Sequence, residues 1–352
     1  MKKIHVTAST EYDISIGSGV LDELGRELKG LTKAKTVVLV SDSNVFPLYG
    51  ERCLKNLKES GFDAKSFVFK AGEASKCMKT YEELLEFLCE NRLTRSDALV
   101  ALGGGVTGDM TGFAAATYQR GIAYVQVPTT LLAAVDSSVG GKTAIDLKAG
   151  KNQVGCFYQP VAVLCDTDTL DTLPESEFRC GMAEVIKYGM LGNARFFSEL
   201  LEKDAKAMIG HIIEVCVTMK RDIVQRDEFD KGERMLLNFG HTFGHAAEKC
   251  SGFSMLHGEG VAMGMATITK AACKLGFCDE TTVEFMDKIL DKYGLPKTIP
   301  YGVDELLDAA LADKKIAGSE INLIVPVKVG RCEIEKVPST ALSDWLKAGG
   351  VK

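Results

Sequence analysis

Residues 98–109, with the sequence ALVALGGGVTGD, point most directly to the fold of this chain. The first five are an apolar run typical of a buried strand, and they lead straight into Gly103, Gly104 and Gly105. The segment also matches Gly-x-Gly-x-x-Gly, in which glycines let backbone amides approach a pyrophosphate at a helix N-terminus. The usual dinucleotide motif follows the first strand and has an acidic residue about 20 positions later. Here the motif follows the third predicted parallel strand without an acid near position 125, so a tight turn and phosphate binding in another topology both stay open.

Strands and helices alternate around this segment. Apolar runs typical of strands occur at residues 36–40, 65–69, 98–102, 123–127 and 161–165, with helical stretches between several of them. Short strands joined through helices predict a parallel sheet with right-handed crossovers. Two earlier extended pieces, at residues 3–8 and 12–17, predict a hairpin or an edge ribbon.

The pattern changes after Leu173. From there to about residue 312 the apolar period is helical, and one long apolar stripe runs from Leu200 to Ile223. Residues 321–327 and 331–334 look like strands and predict a late hairpin. We therefore predict an α/β N-terminal domain with a Rossmann-like parallel sheet at residues 1–172, and a mainly α-helical C-terminal domain at residues 173–352.

The 352-residue chain is 46% hydrophobic and 26% charged, as in an ordinary globular protein. No apolar stretch approaches the roughly 18 residues of a spanning helix, and no apolar signal-peptide core is visible. A formal net charge of −6 without a basic stripe argues against a nucleic-acid partner. Eleven cysteines without a Cys-x-x-Cys pair are typical of reduced thiols packed as small hydrophobes. We expect a cytoplasmic enzyme with neither a membrane nor a nucleic-acid partner.

Two glycine turns carry lysines. Residues 136–143, DSSVGGKT, fail as a P-loop because Asp136 stands where the first glycine is required. Lys142 still follows two glycines, and Lys151 follows Gly150. In an acidic chain, two lysines in glycine turns indicate a local anion site, with ordinary surface turns as the alternative.

Three of the five histidines lie close together in the sequence. His241 and His245 would share one face of a helix, and His257 follows soon after. The spacing is not His-Glu-x-x-His, so a metalloprotease would lack its general base. The cluster predicts a metal or catalytic site. Carboxylates that could complete a zinc site with an open position are Glu184, Glu248 and Glu259, and spacing alone does not choose between them.

Together these motifs resemble the 3-dehydroquinate synthase family along almost the whole chain. The segments that carry the resemblance are residues 72–76, 103–109, 118–121, 127–130, 136–143, 151–152, 183–187, 238–245 and 256–259. The resemblance implies an NAD-binding α/β domain, a helical domain that holds a divalent metal, and a homodimer. It favours zinc as the metal, with cobalt as an alternative.

The resemblance also implies roles for individual residues. It assigns the metal to Glu184, His241 and His257. It assigns NAD to Asp42, Glu73, Lys76, Gly105, Val106, Asp109, Thr129, Thr130, Lys142, Lys151 and Thr172. As catalytic or binding residues around an anionic sugar-phosphate substrate it places Arg120, Asp136, Lys142, Asn152, Lys187, Lys220, Arg234, Asn238, His245 and Lys314.

Three positions depart from the family's usual pattern. Asp230 stands where glutamate is usual, which we expect to lengthen a hydrogen bond to a substrate-binding lysine. Gln153 stands where an apolar residue is common, and Ala312 where histidine is frequent. None of them removes a metal ligand or a phosphate-binding cation.

The implied activity is the conversion of 3-deoxy-D-arabino-heptulosonate 7-phosphate to 3-dehydroquinate and phosphate, in the shikimate pathway. The implied steps are transient oxidation by NAD, β-elimination of phosphate, reduction, ring opening and intramolecular aldol closure. NAD would thus be used catalytically. His245 and Asp136 are candidates for proton transfer, and the departing phosphate is another.

Three alternative functions stay open. A metal-dependent polyol dehydrogenase shares the glycine turn and the histidine helix, but has less need of Lys187, Lys220 and Arg234. Another sugar-phosphate cyclase would act on a differently charged chain end, whereas Lys220 and Arg234 favour a carboxylate. An NAD-binding regulatory protein would need no metal ligands.

Overall fold

A computed structural model describes residues 1–311 and 320–352 of the chain. Lys314, predicted to contact substrate, and the departure at Ala312 lie outside the described residues. Within the described part, no helix has the length and apolar content needed to cross a membrane.

The chain forms two compact units. Their segments are Met1–Pro174 with Ile209–Phe229 for the first unit, and Glu175–Met208 with Asp230–Lys352 for the second. The first unit thus includes a segment that the sequence analysis placed in the helical domain. The functional assignment of residues 1–172 to NAD and 173–352 to metal and substrate stays a prediction.

A seven-stranded sheet forms the centre of the first unit. The strands of this unit are β1 (Lys2–Val6), β2 (Tyr12–Gly17), β3 (Thr36–Asp42), β4 (Asp63–Phe69), β5 (Ala98–Gly103), β6 (Ala123–Pro128), β7 (Lys142–Leu147), β8 (Gly150–Phe157) and β9 (Ala162–Asp166). The spatial order of the sheet is β1-β2-β9-β6-β5-β3-β4. β1 pairs antiparallel with β2, and the remaining neighbours are parallel. The predicted parallel sheet and edge ribbon are confirmed.

Helices cover both faces of this sheet. The helices of the first unit are α1 (Leu24–Leu31), α2 (Glu51–Glu59), α3 (Met78–Glu90), α4 (Gly105–Thr117) and, later in the chain, α7 (Ile209–Arg226). Alternate residues of β3 serve two cores: Val37 and Leu39 pack with α1 and α2, whereas Val38 and Val40 pack with α3 and α4. This alternation explains the continuous apolar run of β3, since a parallel strand covered on both faces needs apolar residues throughout.

The sheet changes direction between β3 and β5. The chain passes from β3 outward to β4, then returns to β5 on the other side of β3 and continues to β6. Open α/β sheets bind ligands outside the carboxyl ends of the strands at such a point. Asp42 ends β3, Gly103 ends β5, and α4 begins at Gly105. The fold therefore places the glycine segment at the binding position of this sheet class.

β7 and β8 form a separate antiparallel hairpin that the sequence analysis missed. Lys142 pairs with Phe157 and Leu147 pairs with Gly150 across it. The two lysine-bearing glycine turns predicted from the sequence are thus parts of one hairpin, with Lys142 opening β7 and Lys151 near the start of β8.

The second unit is mainly helical. Its elements are α5 (Glu175–Gly192), α6 (Ala194–Glu202), α8 (His241–Cys250), α9 (His257–Lys274), α10 (Glu280–Lys292), α11 (Val303–Leu311), β10 (Glu320–Lys328), β11 (Arg331–Pro338) and α12 (Leu342–Ala348). β10 and β11 pair antiparallel, so the predicted late hairpin is confirmed.

The apolar stripe predicted from Leu200 to Ile223 is divided between two helices. α6 ends at Glu202, and the Asp204 carboxylate accepts a hydrogen bond from Ala207 N at 2.9 Å, which favours a new turn before α7. α7 then packs on β1 and β2 in the first unit. Sequence period alone does not distinguish one long helix from two that share a period.

Candidate functional site

Glycines let the helices of the second unit approach one another closely. A Cβ on Gly264 of α9 would lie 1.9 Å from Gly240 O, and one on Gly244 of α8 would lie 2.7 Å from Gly260 O. Gly240 also has φ +79°, a left-handed conformation that glycine adopts without strain. Because backbone meets backbone, side chains at the N-terminal ends of α8 and α9 converge.

The three histidines meet at these helix ends. Their ring centroids are 5.1 Å apart for His241 and His245, 5.4 Å for His241 and His257, and 5.7 Å for His245 and His257. One ring nitrogen from each lies within 4.8 Å of the other two. The predicted cluster therefore exists as one group of potential ligand atoms.

Glu184 of α5 joins this group. Its Oε1 atom lies 3.4 Å from His241 Nε2 and 3.3 Å from His257 Nε2. The side chain is fully buried and forms an ion pair with Lys187 of the same helix. α5 is brought close because a Cβ on Gly258 of α9 would lie only 2.2 Å from Cys180 O.

Hydrogen bonds at the opposite ring nitrogens orient two of the histidines. His241 Nδ1 lies 3.0 Å from Phe239 O, and His257 Nδ1 lies 2.9 Å from Glu248 Oε1. Both partners can only accept, so each Nδ1 is the protonated nitrogen that donates. Each Nε2 therefore faces Glu184 Oε1, and this arrangement favours a proton or a metal ion between the imidazoles and the carboxylate.

The electrostatics of the cluster favour a cation. Burial would raise the pKa of Glu184, but the Lys187 ammonium and His241 outweigh it and hold that pKa well below the usual range. Burial would lower the pKa of His257, but Glu184 and Glu248 raise it to about 10. Burial lowers the pKa of His241, with Lys187 adding to the effect. A proton or a metal ion on the imidazoles would supply the charge that the carboxylates require.

These donors fit a divalent transition metal. Imidazole nitrogens and one carboxylate oxygen suit zinc or cobalt. Glu184 Oε2 is ion-paired with Lys187, whereas within the described residues Oε1 is buried without a hydrogen bond of normal geometry. Buried acceptor atoms of this kind are rare unless a cation occupies them.

The structure gives different contacts to the three carboxylates that the sequence analysis considered as metal ligands. Glu184 faces the histidines. Glu259 Oε2 instead accepts a hydrogen bond from Leu256 N at 3.2 Å, capping the start of α9. Glu248 contacts the far nitrogen of His257 rather than the side that faces Glu184.

The residues predicted for NAD lie along the carboxyl edge of the sheet in the first unit. Asp42 Oδ1 accepts hydrogen bonds from Asn44 N at 2.9 Å and Val45 N at 3.1 Å, which fixes the turn after β3. Thr129 N donates to Gly103 O at 3.0 Å and so joins the segment after β6 to the glycine turn after β5. The other predicted residues of this edge are Glu73, Gly105, Val106, Asp109, Thr130 and Thr172.

A buried lysine connects this edge to the hairpin. Lys76 Nζ donates to Asp109 Oδ2 at 2.6 Å and to Asn152 Oδ1 at 2.5 Å. Burial would lower the pKa of Lys76, but Asp109 and Glu73 raise it. Lys151 Nζ lies 4.0 Å from Glu73 Oε1. The structure thus brings together residues that the resemblance divided between NAD and substrate.

The other predicted substrate residues of the first unit lie on different elements. Lys220 of α7 lies 2.6 Å from both Asp136 Oδ1 and Asp136 O. Arg120 has φ +64° in the turn before β6, and Lys142 is exposed at the start of β7. The resemblance placed both residues near the substrate, but local sequence patterns do not predict that Lys220 and Asp136 form a pair, since α7 follows Asp136 by a long interval.

Three predicted substrate residues of the second unit lie on α5 and in the segment just before α8. Lys187 is 1% exposed and Arg234 2% exposed, so both cations are buried. Asn238 is half-buried just before Gly240. Both cations lie in the same unit as the histidine cluster, and Lys187 is paired with its Glu184, which makes these two positions candidates for contact with an anionic ligand.

Comparisons with known proteins show the family of this chain. The family models for the 3-dehydroquinate synthase N-terminal and C-terminal regions match residues 66–180 and 181–316. The 3-dehydroquinate synthase of Clostridium acetobutylicum is 46% identical over 342 residues, which are 96% of this chain and 96% of that protein.

Two solved structures have the same fold. The structure of 2-deoxy-scyllo-inosose synthase complexed with carbaglucose-6-phosphate, NAD+ and Co2+ covers 98% of this chain and 99% of its own, with a TM-score of 0.89 and 26% identity. ValA, the 2-epi-5-epi-valiolone synthase of Streptomyces hygroscopicus subsp. jinggangensis 5008 with NAD+ and Zn2+ bound, covers 99% of both chains, with a TM-score of 0.87 and 24% identity.

An α/β unit with its glycine turn at the switch point of the sheet, and a helical unit with a histidine–glutamate cluster, give this chain the architecture of a sugar-phosphate cyclase. The sequence match narrows this class. The chain belongs to the 3-dehydroquinate synthase family. The family, fold class and enzyme type expected from the sequence are confirmed.

Proposed function

We propose that this chain converts 3-deoxy-D-arabino-heptulosonate 7-phosphate to 3-dehydroquinate and phosphate. The family match over 96% of the chain supports the activity. The observation that carries the site assignment is the convergence of two oriented Nε2 atoms on Glu184 Oε1, at 3.3 and 3.4 Å. This donor set suits a reaction in which a metal must hold neighbouring oxygens of a sugar.

The enzyme requires NAD and a divalent metal. We assign the metal to Glu184, His241 and His257, and NAD to the residues at the carboxyl edge of the sheet. When bound, the metal supplies a Lewis acid for the substrate's oxygens, and NAD supplies a hydride acceptor that is restored within the same reaction. The two cyclases with related folds contain NAD+ together with Co2+ or Zn2+, which supports this assignment.

The protein's own cations would bind the anionic groups of the substrate. A chain of net charge −6 needs local cations to hold a molecule that carries both a phosphate and a carboxylate. We assign this role to Lys142, Lys220 and Arg120 in the first unit and to Lys187 and Arg234 in the second. An arginine can hold an oxyanion through two parallel hydrogen bonds, whereas a lysine acts as a point charge.

Proton transfer is better suited to His245 than to Asp136. The Asp136 carboxylate is held by the Lys220 ammonium at 2.6 Å, an interaction that stabilises its charged form and fixes its orientation. His245 lies beside the two oriented imidazoles, and an imidazole is a side chain that commonly acts as a general acid or base. We therefore assign proton transfer to His245 and substrate orientation to Asp136.

We further propose that the enzyme works as a homodimer in the cytoplasm. A cytoplasmic location is supported by the biosynthetic role of the family and by the cysteines, all eleven of which are free thiols.

Substrate comparison tests the proposed activity. Phosphate release should be rapid with the heptulosonate phosphate and at least about 100-fold slower with a hexose phosphate, since a substrate without a carboxylate loses the contacts that we assign to the cations. A coupled phosphate assay on both compounds, with a simple polyol as a third, provides the measurement. Equal rates with the hexose phosphate would assign the chain to another cyclase activity, and NADH formation from the polyol would assign it to the dehydrogenases.

A further inference from the structure

We propose that Glu248 is a positioning residue that holds His257 in the orientation and tautomer needed to bind the divalent metal. The proposal rests on the metal site of the proposed function and adds a residue to it. Glu248 would not itself be a ligand. It would act through the ring nitrogen that points away from Glu184.

Glu248 lies on α8, the helix that carries two of the three histidines. His241, His245 and Glu248 occupy positions i, i+4 and i+7 of this helix, which lie on one face. The Glu248 side chain is 3% exposed, and its Oε1 lies 2.9 Å from His257 Nδ1. A buried carboxylate is costly unless it has a charged or donating partner, so this contact explains its burial.

The neighbouring helix leaves space for this carboxylate. A Cβ on Gly260 of α9 would lie 3.0 Å from Glu248 Cγ and 3.2 Å from Glu248 Oε1. Any larger residue at position 260 would press on the carboxylate. The contact between Glu248 and His257 therefore depends on the same close approach of α8 and α9 that brings the histidines together.

The hydrogen bond fixes which nitrogen of His257 is available. A carboxylate accepts only, so Nδ1 carries a proton, and Nε2, 3.3 Å from Glu184 Oε1, is the nitrogen left to bind a metal ion. It also restricts rotation of the ring and makes Nε2 a stronger base. His241 has the same arrangement, but its Nδ1 partner is the backbone carbonyl of Phe239, which a substitution does not remove.

Metal binding tests this role without relying on turnover. Purified protein is stripped with a chelator and titrated with Co2+, while the visible absorption of the bound ion is recorded; a chromophoric chelator then gives the dissociation constant. We expect Glu248→Ala to weaken Co2+ binding about 10- to 100-fold, the usual loss for a partner that orients a metal-bound histidine. We expect a smaller loss for Glu248→Gln, because the amide oxygen still accepts from Nδ1.

Glu259→Gln is the matched control. Glu259 is a glutamate near the same histidine, but it caps the start of α9, so this variant should bind Co2+ like the wild type. Glu248→Gln nearly preserves volume, and thermal unfolding of the metal-free proteins shows whether either Glu248 variant is misfolded. A merely structural role would lower thermal stability and leave the Co2+ spectrum of the folded fraction unchanged.

Unchanged Co2+ affinity and spectrum in Glu248→Gln and Glu248→Ala would overturn the proposal. Wild-type protein that binds no Co2+ or Zn2+ would overturn it as well. Phosphate release by the wild type separates these results from a failure of the proposed activity, because it is measured on unaltered protein.

Discussion

His241→Ala should bind zinc at least about 100-fold more weakly than the wild type and turn over about 1,000-fold more slowly. The first effect should exceed the 10- to 100-fold loss typical of a partner that only orients a ligand, because His241 supplies a ligand atom itself. The second follows because several kcal/mol of charge stabilisation would be lost with the metal, at 1.36 kcal/mol per tenfold in rate. Zinc content after dialysis and phosphate release measure the two effects.

His245→Ala is the control for the His241→Ala variant. His245 belongs to the same cluster, with its ring centroid 5.1 Å from that of His241, but we assign it to proton transfer. This variant should keep its zinc and lose rate. NAD binding, measured by calorimetry, should survive in both variants, since the residues assigned to NAD lie in the first unit. Equal zinc loss in both would show that the ligand assignment is wrong.

Lys187→Met should lower the unfolding free energy of the metal-free protein by about 3–5 kcal/mol, the usual cost of removing one partner of a buried ion pair. Glu184 and Lys187 are 0% and 1% exposed, so the remaining carboxylate could not recover its hydration. For a unit of this size, the loss corresponds to a decrease of about 10 °C in the unfolding midpoint. Calorimetric scans of the stripped proteins give the measurement.

An exposed ion pair in the same unit provides the control. Lys206 and Glu175 are 67% and 63% exposed at 3.1 Å, so Lys206→Met should leave the midpoint within about 1 °C. The double variant Lys187→Met/Glu184→Gln should recover much of the stability, because neither buried charge then remains. An unchanged midpoint in Lys187→Met would contradict the coupling of these two residues.

The strands of the sheet were predictable because each buried strand has a run of apolar residues in its own sequence. Residues 37–40 of β3 and residues 98–102 of β5 are apolar because helices cover both faces, and the glycines that follow residue 102 mark the turn into α4. The β7–β8 hairpin was not predicted, because each of its strands begins at a glycine-lysine pair that also suits an ordinary turn. Pairing between strands is decided by register, which composition does not reveal.

The histidine cluster was predictable in part. His241 and His245 are four residues apart on one helix, and that local spacing survives in the structure. Glu184 lies on α5, and α6 and α7 separate it from these histidines in the chain. Its side chain contacts them because Gly258 lets α9 approach α5 closely. The role of Glu248 was also hidden, although its i+7 position after His241 was visible. Choosing among the carboxylates required knowledge of which helices pack together.

In the proposed reaction, oxidation and reduction are completed on one bound cofactor, so the enzyme should need NAD only in trace amounts. The decisive measurement counts phosphate released from the heptulosonate phosphate by metal-loaded enzyme while NAD+ is kept far below the substrate concentration. We predict many phosphates per NAD+, with no sustained rise in the near-ultraviolet absorbance of NADH. Phosphate release that stops after one equivalent of NAD+, or NADH that accumulates in step with product, would rule out the proposed reaction.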